Sequence, residues 1–479
     1  MTPAVPYPPH PHQGGVVVLP PVIGIRRSGA VPNPAIERDW PRTTRVLPWL
    51  LALFLVGVFL IPLDAITLPV SLPFNAKLDR VLVGLMVLVW AVGKLLGRAT
   101  AAESRRATPI HLALFLFVVA AIASIVVNVD TLTKLNEYNP AIKQLAVLVA
   151  FAAFFGVVAS TVRPGEIKPF ITLVVVLASI TAIGTIYEYQ SDTNVFFDWT
   201  DAALPAGIDL SVAEGGVDAS GREGTTGPTQ NGLGIATLLS LVIPFAVVGF
   251  FQARTVVHKL LYSGAIWLLF AAAIATERKS ALLVPVAIAL VLIVYRPQQM
   301  LRLAPVLVIM VAAVPILSSG AMDTVQRHLF AKGFGKDVST KGRTTDYDAV
   351  RPDVRSHLAL GRGFGSYDFH RYRVLDNAYL GLLIETGFVG LAAFLLTLLA
   401  VLAMAHSLIR SRNPTRGPPA LALAAATAGF AVATFFYDAF TYVQVPYLFF
   451  FFAGLVAIYG AQRLEENAPP RGRLEAVPA

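Results

Sequence analysis

Apolar runs of roughly 16–22 residues recur along this chain from Leu47 onward, each about long enough to carry a helix across some 30 Å of hydrocarbon. They lie at approximately 47–62, 80–97, 110–128, 144–162, 168–187, 232–252, 258–276, 280–295, 303–318, 388–408, 419–437 and 444–462. The pattern predicts an all-α fold, a polytopic membrane helix bundle of about twelve transmembrane helices. Runs 47–62, 280–295 and 303–318 are short for a span; they are retained because the loops alternate only if each one crosses. Composition agrees with this class: 14% of the 479 residues are charged and 56% are hydrophobic, about half the charge share of a soluble chain.

The net charge of +9 raises the question of a nucleic-acid partner, but the basic residues sort by loop and none is expected. With the N-terminus in the cytoplasm, the inner loops carry Arg98, Arg105 and Arg106; Arg163 and Lys168; Arg254 and Lys259; Arg296 and Arg302; and Arg410, Arg412 and Arg416. The outer loop at about 189–231 is acidic, with Asp192, Asp198, Asp201, Asp209, Glu214, Asp218 and Glu223 against Arg222. Positive-inside asymmetry then expects a multi-pass protein with both termini cytoplasmic. The proline-rich residues 1–45 are expected to form a disordered cytoplasmic tail, 46–462 the transmembrane domain, and 463–479 a second cytoplasmic tail. A second outer loop, about 319–387 and expected to hold short helices, breaks the charge rule, because Lys and Arg outnumber acids in it. Long loops cross despite their charge, and an anionic ligand is the simplest reason for the excess.

There are no cysteines, which excludes disulfides, thiol nucleophiles and Cys-ligated zinc. The eight histidines form no HxxxH or HExxH pair, so neither a metal site nor any other cofactor is expected.

Three outward-facing patches could carry chemistry. In the first, Gly221 to Asn231 (GREGTTGPTQN), Arg222 sits among glycines directly before a membrane helix. Guanidinium, backbone N–H groups and helix N-terminus could together hold an anion, although a flexible loop with a surface arginine reads equally well. The second, Thr276-Glu277-Arg278-Lys279-Ser280, puts three charges in a tight turn between two apolar helices. Such charges must meet water, lipid phosphate or a ligand; snorkelling to the interface is the plain alternative.

The third patch combines the glycines Gly361, Gly363 and Gly365, within Leu360 to Tyr367, with the stretch Asp376 to Gly387. The glycine run follows no βαβ pattern, so it is not a dinucleotide fingerprint. Leu380, Leu383 and Ile384 have helical spacing and break at Gly387, which predicts a short half-helix leading into a full span. Asp376, at its start, reads as an N-cap accepting the Tyr379 amide, or as a carboxylate base facing an arginine-lined cavity. Glu385 could orient the half-helix or bond an acceptor sugar.

Together these patches resemble the O-antigen ligase and O-antigen polymerase superfamily of bacterial membrane glycosyltransferases, over most of residues 47–462. The likeness is most specific where Gly342-Arg343-Thr344-Thr345-Asp346-Tyr347, the Leu360–Tyr367 segment and Asp376-Asn377-Ala378-Tyr379-Leu380 to Glu385-Thr386-Gly387 follow in the family's order. Arg222 with Gly227 and Asn231 resembles the family's outer-loop arginine motif, and Arg278 the arginine at its next outer helix junction.

The resemblance implies a metal-independent, inverting glycosyltransferase of a bacterial inner membrane, using a polyprenyl-diphosphate-linked glycan as donor and a glycan or lipid as acceptor. Arg222, Arg278 and Arg343 would bind the donor diphosphate. Asp376 would be the catalytic base, supported by Asn231, Gly361, Gly363, Gly365, Asn377, Tyr379 and Glu385. The chain departs from the family's ligases in carrying Asp376 where they have histidine, and Tyr347 where tryptophan is usual. A repeat-unit polymerase would use the same donor. A lipid-linked glycan transporter is the reading from another class, although it would more commonly put polar, broken-helix sites near the midplane in two related halves.

Overall fold

The computed structural model describes residues 46–69, 77–96, 107–205, 207–211, 224–278, 280–303, 305, 349–367, 371–438 and 440–467. The expected tail 1–45 and almost all of the expected span 303–318 lie outside these residues.

The remaining eleven apolar runs are helical. They form α1 (Leu47–Leu60), α2 (Leu78–Leu95), α3 (Pro109–Val127), α4 (Tyr138–Thr161), α5 (Ile167–Ser191), α6 (Gly232–Ser240) with α7 (Ile243–Gln252), α8 (Val256–Ala275), α9 (Ser280–Tyr295), α10 (Ala378–Arg410), α11 (Gly417–Phe436) and α12 (Gln444–Glu466). The 232–252 run is interrupted after Ser240, with Pro244 in the first turn of α7, where a missing N–H is tolerated. Eight spans are long and apolar enough to cross a membrane: α3, α4, α5, the α6–α7 pair, α8, α10, α11 and α12. The helices α1 and α9 are apolar but shorter, and α2 carries Asp79, Arg80 and Lys94. The chain is an all-α polytopic helix bundle. Its described loops contain short helices at Val195–Ala203 and 349–356.

The centre of the bundle is α12, whose spanning window is entirely buried. It is apolar around its whole circumference, as a helix must be when other helices surround it. Phe449 stacks on Phe430 of α11 with centroids 4.2 Å apart, and Phe450 on Phe151 of α4 at 5.7 Å. Lipid is as apolar as a core, so cohesion depends on close approach. Gly454 shows it: a Cβ there would lie 2.6 Å from Val158.

The helix α10 is also broken within its span. Gly387 interrupts α10 at φ 63°, ψ −164°, which frees backbone groups that lipid cannot satisfy. Residues 358–363 run against the break and pair them. The Phe388 and Val389 amides donate to Leu358 O and Ala359 O at 2.9 and 3.2 Å; the Arg362 and Gly363 amides donate to Ile384 O and Glu385 O, both at 3.0 Å. A Cβ at Gly361 would lie 2.2 Å from the Glu385 carbonyl carbon, and one at Gly387 2.4 Å from that of Ala359. Both positions also have positive φ, so both require glycine.

A two-stranded antiparallel pairing of Ile66–Thr67 with Asp209–Leu210 ties the α1–α2 loop to the loop preceding α6.

Candidate functional site

A cavity of about 830 Å³ opens where the α1–α2 loop, the start of α4, the loop before α6, the segment before α10 and the α11–α12 turn converge. All of these lie at one end of the bundle. Of the residues singled out in the sequence, Asn231, Gly365, Asp376, Asn377 and Glu385 line it.

Asn377, not Asp376, caps α10. Its Oδ1 accepts the Tyr379 and Leu380 amides at 3.0 and 3.3 Å. The expectation that Asp376 accepts the Tyr379 amide is therefore corrected: the helix begins at Ala378, and the residue immediately before it has the extended backbone of an N-cap. Asp376 lies one residue farther out, exposed and on the cavity wall.

Asn231 caps α6 in the same way, its Oδ1 accepting the Leu233 amide at 2.9 Å. The loop leading to it is anchored by Glu188, which accepts the Thr226 and Gly227 amides at 2.9 and 2.8 Å. Gln444 reinforces the loop by donating to both Pro228 O and Asp64, each at 3.1 Å.

Arg278 follows Glu277, which has left-handed backbone at φ 55°. Its half-buried guanidinium packs against the first residue of α6, so that a Cβ on Gly232 would lie 3.0 Å from Arg278 Nε. It has no ion-pair partner among the described residues. Arg278 and Asp376 both act on Tyr442, which lines the cavity: burial raises that phenol to about 12, Asp438 adds to the rise, Arg278 opposes it, and Asp376 and Asp64 add smaller contributions. Arg222 and Arg343, like Lys279, lie outside the described residues.

The other expected residues hold the wall in place, Glu385 and Gly365 from the lining itself and Gly363 and Tyr379 from behind it. Glu385 Oε1 accepts the Tyr367 amide at 3.1 Å, holding the glycine segment over the half-helix. Gly363 and Gly365 have φ of 123° and 72°, and a Cβ on them would meet Leu132 at 2.9 Å and Gln144 at 2.5 Å. The Tyr379 hydroxyl turns away to Ala431 O at 2.7 Å, joining α10 to α11.

Other polar groups at this end were not singled out in the sequence. Asp64, Lys77, Arg80, Arg373 and Asp438 line the cavity. Burial raises Asp64 to about 6, against the opposing pull of Lys77 and the Gln444 bond. Burial also raises Asp438, whose carboxylate is held locally by the Thr441 hydroxyl at 2.9 Å and the Phe440 amide at 3.1 Å. Their signal was a charge within a short connection between apolar runs, where ionisable groups are expensive. Behind the wall, Arg362 donates to Glu137 at 3.0 Å and lies 4.3 Å over the Tyr372 ring, clamping the segment before α10 to the α3–α4 loop.

Residues 264–395 match the family described as O-Antigen ligase. Over that segment the chain is similar to O-antigen ligases. The matched segment contains Arg278 and the glycine segment as well as the cavity residues Asp376, Asn377 and Glu385, while Asp64, Asn231, Asp438 and Tyr442 line the same cavity from outside that segment. No curated protein matches the chain. The helix content and the match to O-antigen ligases together support a multi-pass membrane protein that processes glycans.

Proposed function

We propose that this protein is a glycosyltransferase of a bacterial inner membrane, moving a glycan from a polyprenyl diphosphate to an acceptor hydroxyl in this cavity. The observation that carries the reading is Arg278: a half-buried guanidinium, without an acidic partner among the described residues, lying against a helix N-terminus. A guanidinium beside a helix N-terminus puts two positive features on one side of an incoming anion, and a diphosphate suits that chemistry.

Asp376, on the cavity wall, takes the proton from the acceptor hydroxyl. The acceptor oxygen attacks the anomeric carbon from the side opposite the donor. The bond from that carbon to the diphosphate oxygen breaks, and its electron pair leaves with the diphosphate. Arg278, with Arg222 and Arg343 as further contacts, stabilises the departing charge, and the anomeric configuration inverts.

The test uses purified full-length protein with a lipid-diphosphate glycan, with and without a foreign acceptor. Transfer that disappears in Arg278→Ala and Asp376→Asn supports the proposal, and transfer at the wild-type rate in either removes that residue from it. Chain growth without an added acceptor would identify a polymerase.

A further inference from the structure

At the end of the bundle away from Asp376, the end of α9 and the α10–α11 turn enclose a second cavity, of about 870 Å³. Its polar wall is made by Arg296, Arg410 and Arg412, and Ile409, Pro414 and Pro418 supply apolar surface. No acid lines it, and none of the three guanidiniums has an ion pair or side-chain hydrogen bond among the described residues. Arg416, in the same turn, is the contrast: it is 4% exposed and bonded through both terminal nitrogens to Glu466. The end of α12 thus supplies an acid for the arginine that the turn buries, and no acid lines the cavity that the other three face.

Arg296, Arg410 and Arg412 are all exposed at this wall, so they are screened by water and free to turn toward an anion that enters between them. Arg412, two residues beyond the end of α10, holds a left-handed φ of 53°, where glycine is the usual residue. The two sides are held together by the Tyr295 hydroxyl, bonded to His406 of α10. Next along α9, Val294 is 77% exposed and Leu290 58% exposed, an apolar strip running from the basic wall toward the middle of the bundle.

We infer that this cavity binds the phosphodiester headgroup of an anionic membrane phospholipid, with its acyl chains along α9. Guanidiniums match phosphate oxygens in pairs, and a basic pocket between membrane helices suits such a headgroup. The inference is independent of the transfer reaction.

The experiment measures thermal unfolding of the full chain in detergent micelles containing phosphatidylglycerol or phosphatidylcholine, alongside native mass spectrometry of retained lipid. The wild type should be stabilised by and retain phosphatidylglycerol in preference to phosphatidylcholine. In R410Q/R412Q the preference should fall about 30-fold, two basic contacts of about fivefold each. The control R254Q/R302Q removes the same charge from exposed positions off this cavity and should keep it. A control that loses as much, or a cavity variant that loses nothing, overturns the assignment. Equal stabilisation by inorganic phosphate would make this a free-phosphate site and overturn the lipid. If R410Q/R412Q does not fold, equal retention of both lipids by the wild type is itself decisive against it.

Discussion

Asn377 Oδ1 accepts the Tyr379 amide at 3.0 Å, and the neighbouring Asp376 carboxylate therefore stands on the cavity wall instead of in the cap. The two positions should separate in experiment. Asn377→Ala should lower stability by about 1 kcal/mol, the usual effect of deleting a cap. Asp376→Asn should leave the unfolding midpoint in place and slow transfer about 10²–10⁴-fold. A destabilised Asp376→Asn with a normal turnover rate would reverse the assignment.

Arg278→Ala should reduce transfer by about 10²–10³-fold with membrane insertion unchanged, the effect of removing one donor to a developing negative charge. Gly232→Ala probes the same contact indirectly. Its Cβ would meet Arg278 Nε at 3.0 Å and Thr225 O at 2.9 Å, so transfer should weaken as the guanidinium is displaced. A Gly232→Ala enzyme with unaltered donor KM would argue against a donor role for Arg278.

Arg362 is expected to contribute to stability rather than turnover. Its side chain is 12% exposed and its partner Glu137 2% exposed, and removing one member of such a pair costs about 3–5 kcal/mol. Arg362→Leu should lower unfolding stability by about 3 kcal/mol, while Arg371→Ala, at a side chain 50% exposed, should change it by less than about 1 kcal/mol. Equal effects in a denaturant titration would mean that the Arg362 pair is not a buried clamp.

Asp64 makes stability depend on pH. Its carboxyl is raised from 3.8 to about 6 by burial, so between those values the folded protein binds more protons than the unfolded one. Stability should therefore fall as pH rises from about 4 to 7, by up to about 3 kcal/mol. Asp64→Asn should remove that slope, becoming more stable than wild type relative to pH 4 as the pH approaches 7. Parallel pH profiles would show that Asp64 does not carry the dependence.

The glycine segment makes the sharpest stability prediction. Gly361→Ala adds a methyl 2.2 Å from the Glu385 carbonyl carbon at a φ of 66°. Strain of about 1–3 kcal/mol and the overlap act together, so the variant should be poorly inserted or unfold well below wild type. Gly381→Ala, with nothing within 4 Å, is the control that should behave normally.

The half-helix that breaks at Gly387 was legible because apolar spacing and a lone glycine are local signals. The glycine run was legible as special backbone but not in purpose, since its partners are the carbonyls of Ile384 and Glu385 on a helix that comes later. The Asp376 cap was misassigned by one residue, because a cap depends on where the first helical turn closes, a boundary that sequence defines only loosely. Asp64 and Asp438 passed unnoticed as single charges in short turns, and they matter only because those turns meet over one cavity.

The sequence by itself determined that this chain crosses a membrane repeatedly as helices, since in lipid each long apolar segment must pair its own backbone groups and only a helix does so within one segment. Tertiary structure alone decided which loops share a cavity, that Arg278 lies against Gly232, and that Asp376 and Tyr442 line the same wall. It also decided that Ser124, 261 positions from Glu385, bonds its carbonyl. Contacts of that separation arise from how rigid helices pack, and no local pattern of residues encodes them.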